Sequence, residues 1–472
     1  MKSQHLLEFK KATFRFYNSE VFRGTDLKID SGKHLSVIGG NASGKTTFGR
    51  ALAGMLPVIR GRAEFSITYD EIVFISFHAE LKLINRENPY LQQRWNSFDS
   101  VNAPLVKDFF WNDGELNTET QKLLKEFGAE ALLHKKNIEL SNGELRKIEL
   151  IRALSSKARL IIIDNAFIGL DTKSRVILED TLYKISKFKT LVLLALDTDD
   201  IPGFISQKLY CDNMQIYPDA VYHETEETED SLPADLIPFF PSASDDLVSL
   251  SDINITYDGE AILKSVNWQI RAGEHWALTG PNGSGKTTIL SLLIGDNPQA
   301  YAQQISLFGR QRGTGETIWD IKRQIGFISA ELHQFAPGHY TVRQVLIDDI
   351  AWIYPGIDRS DVLRRAGIWT NWFGLNLSYD IRFGQLSSGQ QRLLLFIRTL
   401  IYPFTLLVAD EPCHGLDSRN VRKIRDVFMF IAKNTNASTI FVTHQPRELP
   451  ETTGLFFDLL VENRIFGVKA GK

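Results

Sequence analysis

Cysteine is almost missing from this chain of 472 residues, with only Cys211 and Cys413 present. Two thiols cannot build a disulfide framework, so a reducing cytoplasm is the expected compartment. No run reaches the roughly 18 uninterrupted apolar residues of a spanning helix. The opening Met1-Lys2-Ser3-Gln4-His5 leads into a charged alternating segment, not an apolar signal core. Any work at a membrane is therefore expected to be peripheral, at its inner face, and to go through another chain. A net charge of −4 lacks the basic excess of nucleic-acid binders, which makes nucleic acid an unexpected partner unless a local patch hides in that average.

What the chain does have, it has twice. Lys45 and Lys286 are separated by 241 positions, and the pairs Leu140 and Leu386, Asp164 and Asp410, and Asp171 and Asp417 by 246 each. Self-similarity at a fixed offset marks a duplication. The expected organisation is a first domain over 5–217, a linker over 218–246 and a second domain over 247–470. The linker expectation rests on the acidic run His223 to Asp230 followed by Pro233, Pro238 and Pro241. Each half opens on alternating strand-like segments, Leu7 to Phe16 and Leu247 to Thr256, which predict an antiparallel edge sheet. Strands then alternate with helical stretches, which predicts an α/β core built on a parallel sheet.

The chemistry lies at the ends of apolar strands. Gly280-Pro281-Asn282-Gly283-Ser284-Gly285-Lys286-Thr287-Thr288 follows the strand-like His275 to Thr279 and precedes a helical segment. A loop of this kind turns backbone N–H groups towards phosphate oxygens at a helix N-terminus, with Lys286 reaching the outer phosphates and the Thr287 hydroxyl offered to Mg²⁺. The first copy reads Gly39-Gly40-Asn41-Ala42-Ser43-Gly44-Lys45-Thr46-Thr47. Further on, Leu406 to Ala409 delivers Asp410 and Glu411, one carboxylate to orient Mg²⁺ and one to polarise the attacking water. In the first half Leu160 to Ile163 delivers Asp164 and Asn165, so the metal carboxylate is kept and the base is lost. An amide cannot accept a proton, and general-base help is worth roughly 10²–10⁴ in rate.

Leu386-Ser387-Ser388-Gly389-Gln390 and Leu140-Ser141-Asn142-Gly143-Glu144 each end 20 residues before Asp410 and Asp164. With the loops and strand ends above, they resemble the signature of ATP-binding cassette (ABC) ATPases over nearly the whole chain. The resemblance implies two tandem P-loop NTPase domains, each with a RecA-like parallel sheet, an antiparallel β edge and a helical subdomain, packed head to tail. The helical subdomains are expected near 78–138 and 331–383, where partners such as a membrane permease would dock. It further implies ATP and Mg²⁺ as ligands at two composite sites. One would combine Lys286, Thr287, Asp410, Glu411 and His444, the family's switch histidine, with Ser141 and Gly143. The other would combine Lys45, Thr46 and Asp164 with Ser387 and Gly389, and has Leu196 where the first has His444. Tyr257 and Phe16, each 23 residues before its glycine loop, match an adenine-stacking position, while Gly415-Leu416-Asp417 and Gly169-Leu170-Asp171 match a loop that communicates between sites. Glu411, His444 and Lys286 are thus the expected catalytic residues.

Two features bear on what turnover drives. Transport cassettes carry a Gln after the strand that follows the phosphate loop, whereas Phe74-Ile75-Ser76 leads to Phe77 and Phe327-Ile328-Ser329 to Ala330. Against that, the stretch Leu307 to Lys322 resembles a twin-cassette branch of the family associated with bacterial molybdate-transport operons. The expectation is the ATP-binding protein of a molybdate-type transport system; the alternative is a soluble ATPase acting on ribosomes or DNA, or a regulator.

Overall fold

A computed structural model describes residues 5–17, 19–76, 105–109, 118–136, 140, 142–168, 172–219, 232–233, 236–238, 245–257, 260–280, 284–329, 332, 336–348, 353–354, 356–375, 377–443, 445–459 and 466–470. It divides into two compact units, one of residues 1–226 with Gly415–Asp417, the other of 227–414 with 418–472.

The first unit runs β1 (His5–Phe16), β2 (Ser19–Asp30), β3 (Leu35–Ile38), α1 (Lys45–Leu52), β4 (Val58–Phe65), β5 (Ile72–Ser76), α2 (Thr118–Glu126), α3 (Asn142–Ser155), β6 (Leu160–Asp164), α4 (Thr172–Ser186), β7 (Thr190–Ala195), β8 (Gln207–Asp212) and β9 (Gln215–Pro218). Its antiparallel sheet has the order β2-β1-β4, and its main sheet the order β5-β6-β7-β3-β8-β9, parallel except for the final hairpin. Every residue of β3, β6 and β7 is buried. Strands covered on both faces need continuous apolar sequence, and Leu-Ile-Ile-Ile in β6 and Leu-Val-Leu-Leu in β7 supply it.

The second unit repeats the plan with β10 (Asp246–Tyr257), β11 (Glu260–Arg271), β12 (His275–Thr279), α5 (Lys286–Leu293), β13 (Gln304–Leu307), β14 (Arg310–Gln311), α6 (Ile318–Lys322), β15 (Ile325–Ser329), α7 (Arg359–Trp372), α8 (Ser388–Ile401), β16 (Leu406–Asp410), α9 (Ser418–Asn434), β17 (Ser438–Val442), β18 (Leu455–Leu459) and β19 (Phe466–Ala470). Its main sheet is ordered β15-β16-β17-β12-β18-β19, position for position the order of the first. In both, the strand before the glycine loop is central, so the loop opens at the C-terminal edge of the sheet, where ligands of open α/β folds bind.

Of the stretches expected to be helical, the described parts hold α2 with 3₁₀ turns at Val106–Phe109 and Glu130–His134, and α7 with a π-helical turn at Gln344–Asp348. In the second unit a column of rings, Trp369, Phe373, Phe396, Phe428 and Phe441, packs α7, α8, α9 and β17 together with successive centroids 4.9–6.4 Å apart. Trp369 and Trp372 are therefore core, not docking surface. Trp95, Trp111 and Trp352 lie outside the described residues.

Candidate nucleotide sites

In the first unit the buried strand β3 runs straight into Gly39, and the chain reverses through Gly44 (φ +110°) into α1. Only glycine fits at Gly39, where a Cβ would sit 2.2 Å from the Cys211 carbonyl oxygen. The Lys45 ammonium folds back across the loop and donates to the carbonyls of Gly39 at 2.5 Å and Gly40 at 2.7 Å. Asn41 is held on both sides: its backbone N–H donates to Asp417 (2.7 Å), its Oδ1 accepts from the Asp417 N–H (2.7 Å), and its Nδ2 donates to the Gly415 carbonyl (3.0 Å). These three residues belong to the same compact unit as the loop.

Thr46 lies beside the strand-end carboxylate, its hydroxyl donating to Asp164 Oδ2 at 2.6 Å. Asp164 is fully buried, and its other oxygen accepts from the Asn165 amide at 3.0 Å. The amide group must face Asp164, because only the NH₂ end can donate to a carboxylate. Burial pushes the Asp164 carboxyl up, opposed by the Thr46 hydrogen bond and the Lys45 charge; burial also pushes the Lys45 ammonium down, opposed by Asp164. Thr47 is buried in the first turn of α1.

The second unit builds the same frame. A Cβ on Gly280 (φ +144°) would lie 2.5 Å from the Leu459 carbonyl oxygen, Gly285 turns at φ +97°, and Lys286 Nζ donates to the Gly280 carbonyl at 2.7 Å. Thr287 is exposed and Thr288 buried. Asp410 ends β16, followed at once by Glu411. Burial lowers the Lys286 pKa, opposed first by Glu411 and then by Asp410. The strand end beside one loop lysine thus carries a carboxylate and an amide, the strand end beside the other two carboxylates.

At the start of α8, Ser387 forms a capping box: its hydroxyl accepts from the Gln390 N–H at 3.3 Å, and Gln390 Oε1 accepts from the Ser387 N–H at 2.9 Å. Gly389 is buried in that first turn, and Gly143 occupies the first turn of α3. Tyr257 is half-buried with its hydroxyl accepting from Asn297 (2.9 Å), and Phe16 is half-buried with its ring 4.6 Å from exposed Tyr17. Leu196 is buried after β7. Ser141, Asn282, Gly283 and His444 lie outside the described residues.

Sequence reasoning missed two partners. Thr443 donates its hydroxyl to Glu448 at 2.5 Å, both side chains being buried, whereas the first unit has Ala195 before Leu196 and its Asp200 pairs with Arg175 at 2.8 Å. The other is the amide bond from Asn165 to Asp164; a strand ending in Asp-Asn carries no signal for which way the amide turns.

The family described as ABC transporter matches residues 22–168 and again 263–414. The chain belongs to that family. As an ABC ATPase it is an ATP-hydrolysing enzyme with tandem ATP-binding domains. It is 33% identical to the ABC transporter ATP-binding protein ModF of Escherichia coli (strain K12), over 94% of each chain. An uncharacterized ABC transporter ATP-binding protein of Schizosaccharomyces pombe (strain 972 / ATCC 24843) is 27% identical over 94% of this ABC ATPase and 96% of its own length. Among solved structures, the archaeal ribosome recycling factor aABCE1 in complex with the ribosomal stalk protein aP1 aligns with a TM-score of 0.53 at 17% identity, over 95% of this chain and 87% of that one. That last likeness is one of fold. Among the described residues no helix is long and apolar enough to cross a membrane.

Proposed function

We propose that this ABC ATPase binds ATP with Mg²⁺ at both glycine loops and turns it over mainly at the second. The residues fit such a ligand: a buried ammonium spans each loop mouth, glycines stand where a Cβ would strike a neighbouring carbonyl, and Thr46 lies against Asp164. Mg²⁺ would be held by Thr46 and Asp164 in one site and by Thr287 and Asp410 in the other, where it would offset phosphate charge. Glu411 would take the proton of the attacking water, with His444 as a second polar contact. By the family's pattern, Ser141 and Gly143 would complete the second-loop site, and Ser387 and Gly389 the first.

The observation that carries this reading is the Asn165 amide committed to Asp164 where the second unit has Glu411. The first site then keeps phosphate and metal ligands without a base, which suits holding over hydrolysis. Steady-state ATPase of Glu411→Gln and Asn165→Ala tests it; equal losses from the two would sink it.

For what the turnover drives, the Leu307 to Lys322 stretch and the likeness to ModF support an ATP-binding component of a molybdate-type transport system. A second reading, a soluble ATPase with another client, draws on Phe77 and Ala330 standing where transport cassettes carry Gln. Affinity purification of ATP-loaded Glu411→Gln separates them: a membrane permease favours the first, a ribosomal or nucleic-acid partner the second.

A further inference from the structure

The hairpin joining β8 to β9 closes on the pair Asp212 and Gln215, and its two turn residues, Asn213 (φ +46°) and Met214 (φ +58°), are both left-handed. Such a turn favours glycine at its second position. Here that position holds methionine, and the side chain is spent on the first phosphate loop: a Cβ added to Gly44 would lie 2.5 Å from Met214 Sδ. The backbone is engaged as well, with the Met214 N–H donating to the Ser43 carbonyl at 2.9 Å and its own carbonyl accepting from the Phe22 N–H at 2.8 Å. The Ser43 carbonyl accepts a second bond, from Cys211 Sγ at 3.3 Å.

Ser43 sits one residue before the turn into α1. Because the peptide unit is planar and trans, fixing the Ser43 carbonyl on the hairpin side fixes the Gly44 N–H on the opposite side, the side that faces a bound phosphate. Two donors on one carbonyl therefore set the direction of a phosphate-binding N–H. The second unit lacks one of them by composition: Leu459 occupies the position of Cys211, below Gly280 as Cys211 lies below Gly39, and a leucine side chain carries no hydrogen-bond donor.

We propose that Cys211 and Met214 form a latch that holds the first phosphate loop in its nucleotide-binding shape and slows nucleotide release from that site. Both are positioning residues, acting through Ser43 and Gly44 and touching no reacting atom. The inference rests on the reading of the first site as an ATP holder.

The test uses the full chain in two backgrounds, Lys286→Ala to confine nucleotide to the first loop and Lys45→Ala to confine it to the second, each loaded with a fluorescent ATP analogue and chased with unlabelled ATP. In the Lys286→Ala background Met214→Gly and Cys211→Ala should each release the analogue about tenfold faster, since affinity changes fall mostly on the off-rate. Met214→Leu, which restores bulk and keeps the N–H, should return towards the parent rate. In the Lys45→Ala background the same variants should change nothing. Slow parental release that Met214→Gly and Cys211→Ala leave unaltered overturns the latch alone. Equal acceleration in both backgrounds also overturns it, as a general loosening. Fast release from the parent first site overturns the latch and the holder reading together.

Discussion

Asn165 and Glu411 occupy one backbone position in two copies. Each follows the aspartate that ends its strand, each is left-handed, at φ 54° and 50°, and each donates its N–H at 2.9 Å to the neighbouring strand, at Leu194 and Val442. The main chain is the same; only the side chain differs. Asn165 turns inward to donate to Asp164, leaving its own buried Oδ1 without a partner among the described residues.

Structure and turnover should therefore separate between these two residues. Asn165→Ala removes a hydrogen bond to a buried carboxylate and should cost about 2 kcal/mol of stability, read as a lower midpoint in denaturant unfolding, with turnover per folded molecule near that of the parent. Glu411→Gln should leave the midpoint alone and lower kcat by roughly 10²–10⁴.

The thiol of Cys211 should be inert. Burial raises its pKa from 9.0 to about 11, so at pH 8 the thiolate is roughly a hundredfold scarcer than for an unperturbed thiol, and alkylation by iodoacetamide should slow to match. The raised value also has a sign for stability. Between pH 9.0 and about 11 the folded chain keeps a proton that the unfolded chain has lost, so stability falls as pH rises through that window. Cys211→Ala should remove that part of the decline in denaturation midpoints.

Thr443→Val keeps shape and deletes the hydroxyl that reaches Glu448. Leaving a buried carboxylate short of a donor should cost about 1–3 kcal/mol. Because Thr443 directly precedes His444, kcat should fall by more than KM changes, measured by steady-state ATPase.

Gly39→Ala should abolish nucleotide retention at the first loop, since its methyl must displace the Cys211 carbonyl. Gly203→Ala, where nothing among the described residues lies within 4 Å of the added Cβ, serves as the control and should bind normally. Equilibrium binding in the Lys286→Ala background checks both.

The parallel core and the glycine loops were legible because each writes itself locally: β6 and β16 are unbroken apolar runs ending in Asp, and a strand, a glycine loop and Lys-Thr follow in order. The contrast between Asn165 and Glu411 was legible for the same reason. Contacts that join distant positions were not. The bonds from Cys211 and Met214 to Ser43 span about 170 residues and depend on a hairpin whose turn lacks the glycine that usually marks one. The pairing of Thr443 with Glu448 was equally silent, because a Thr and a Glu five positions apart read as two ordinary solvent-facing side chains until burial is known.

The shared strand order of the two sheets has a practical corollary. Each half is a built-in reference for the other, expressed, folded and assayed in the same molecule. A substitution made at matched positions, Lys45 and Lys286 or Gly39 and Gly280, is measured on the same main-sheet order at identical concentration. The two sites can then be compared within one molecule, with no second protein needed.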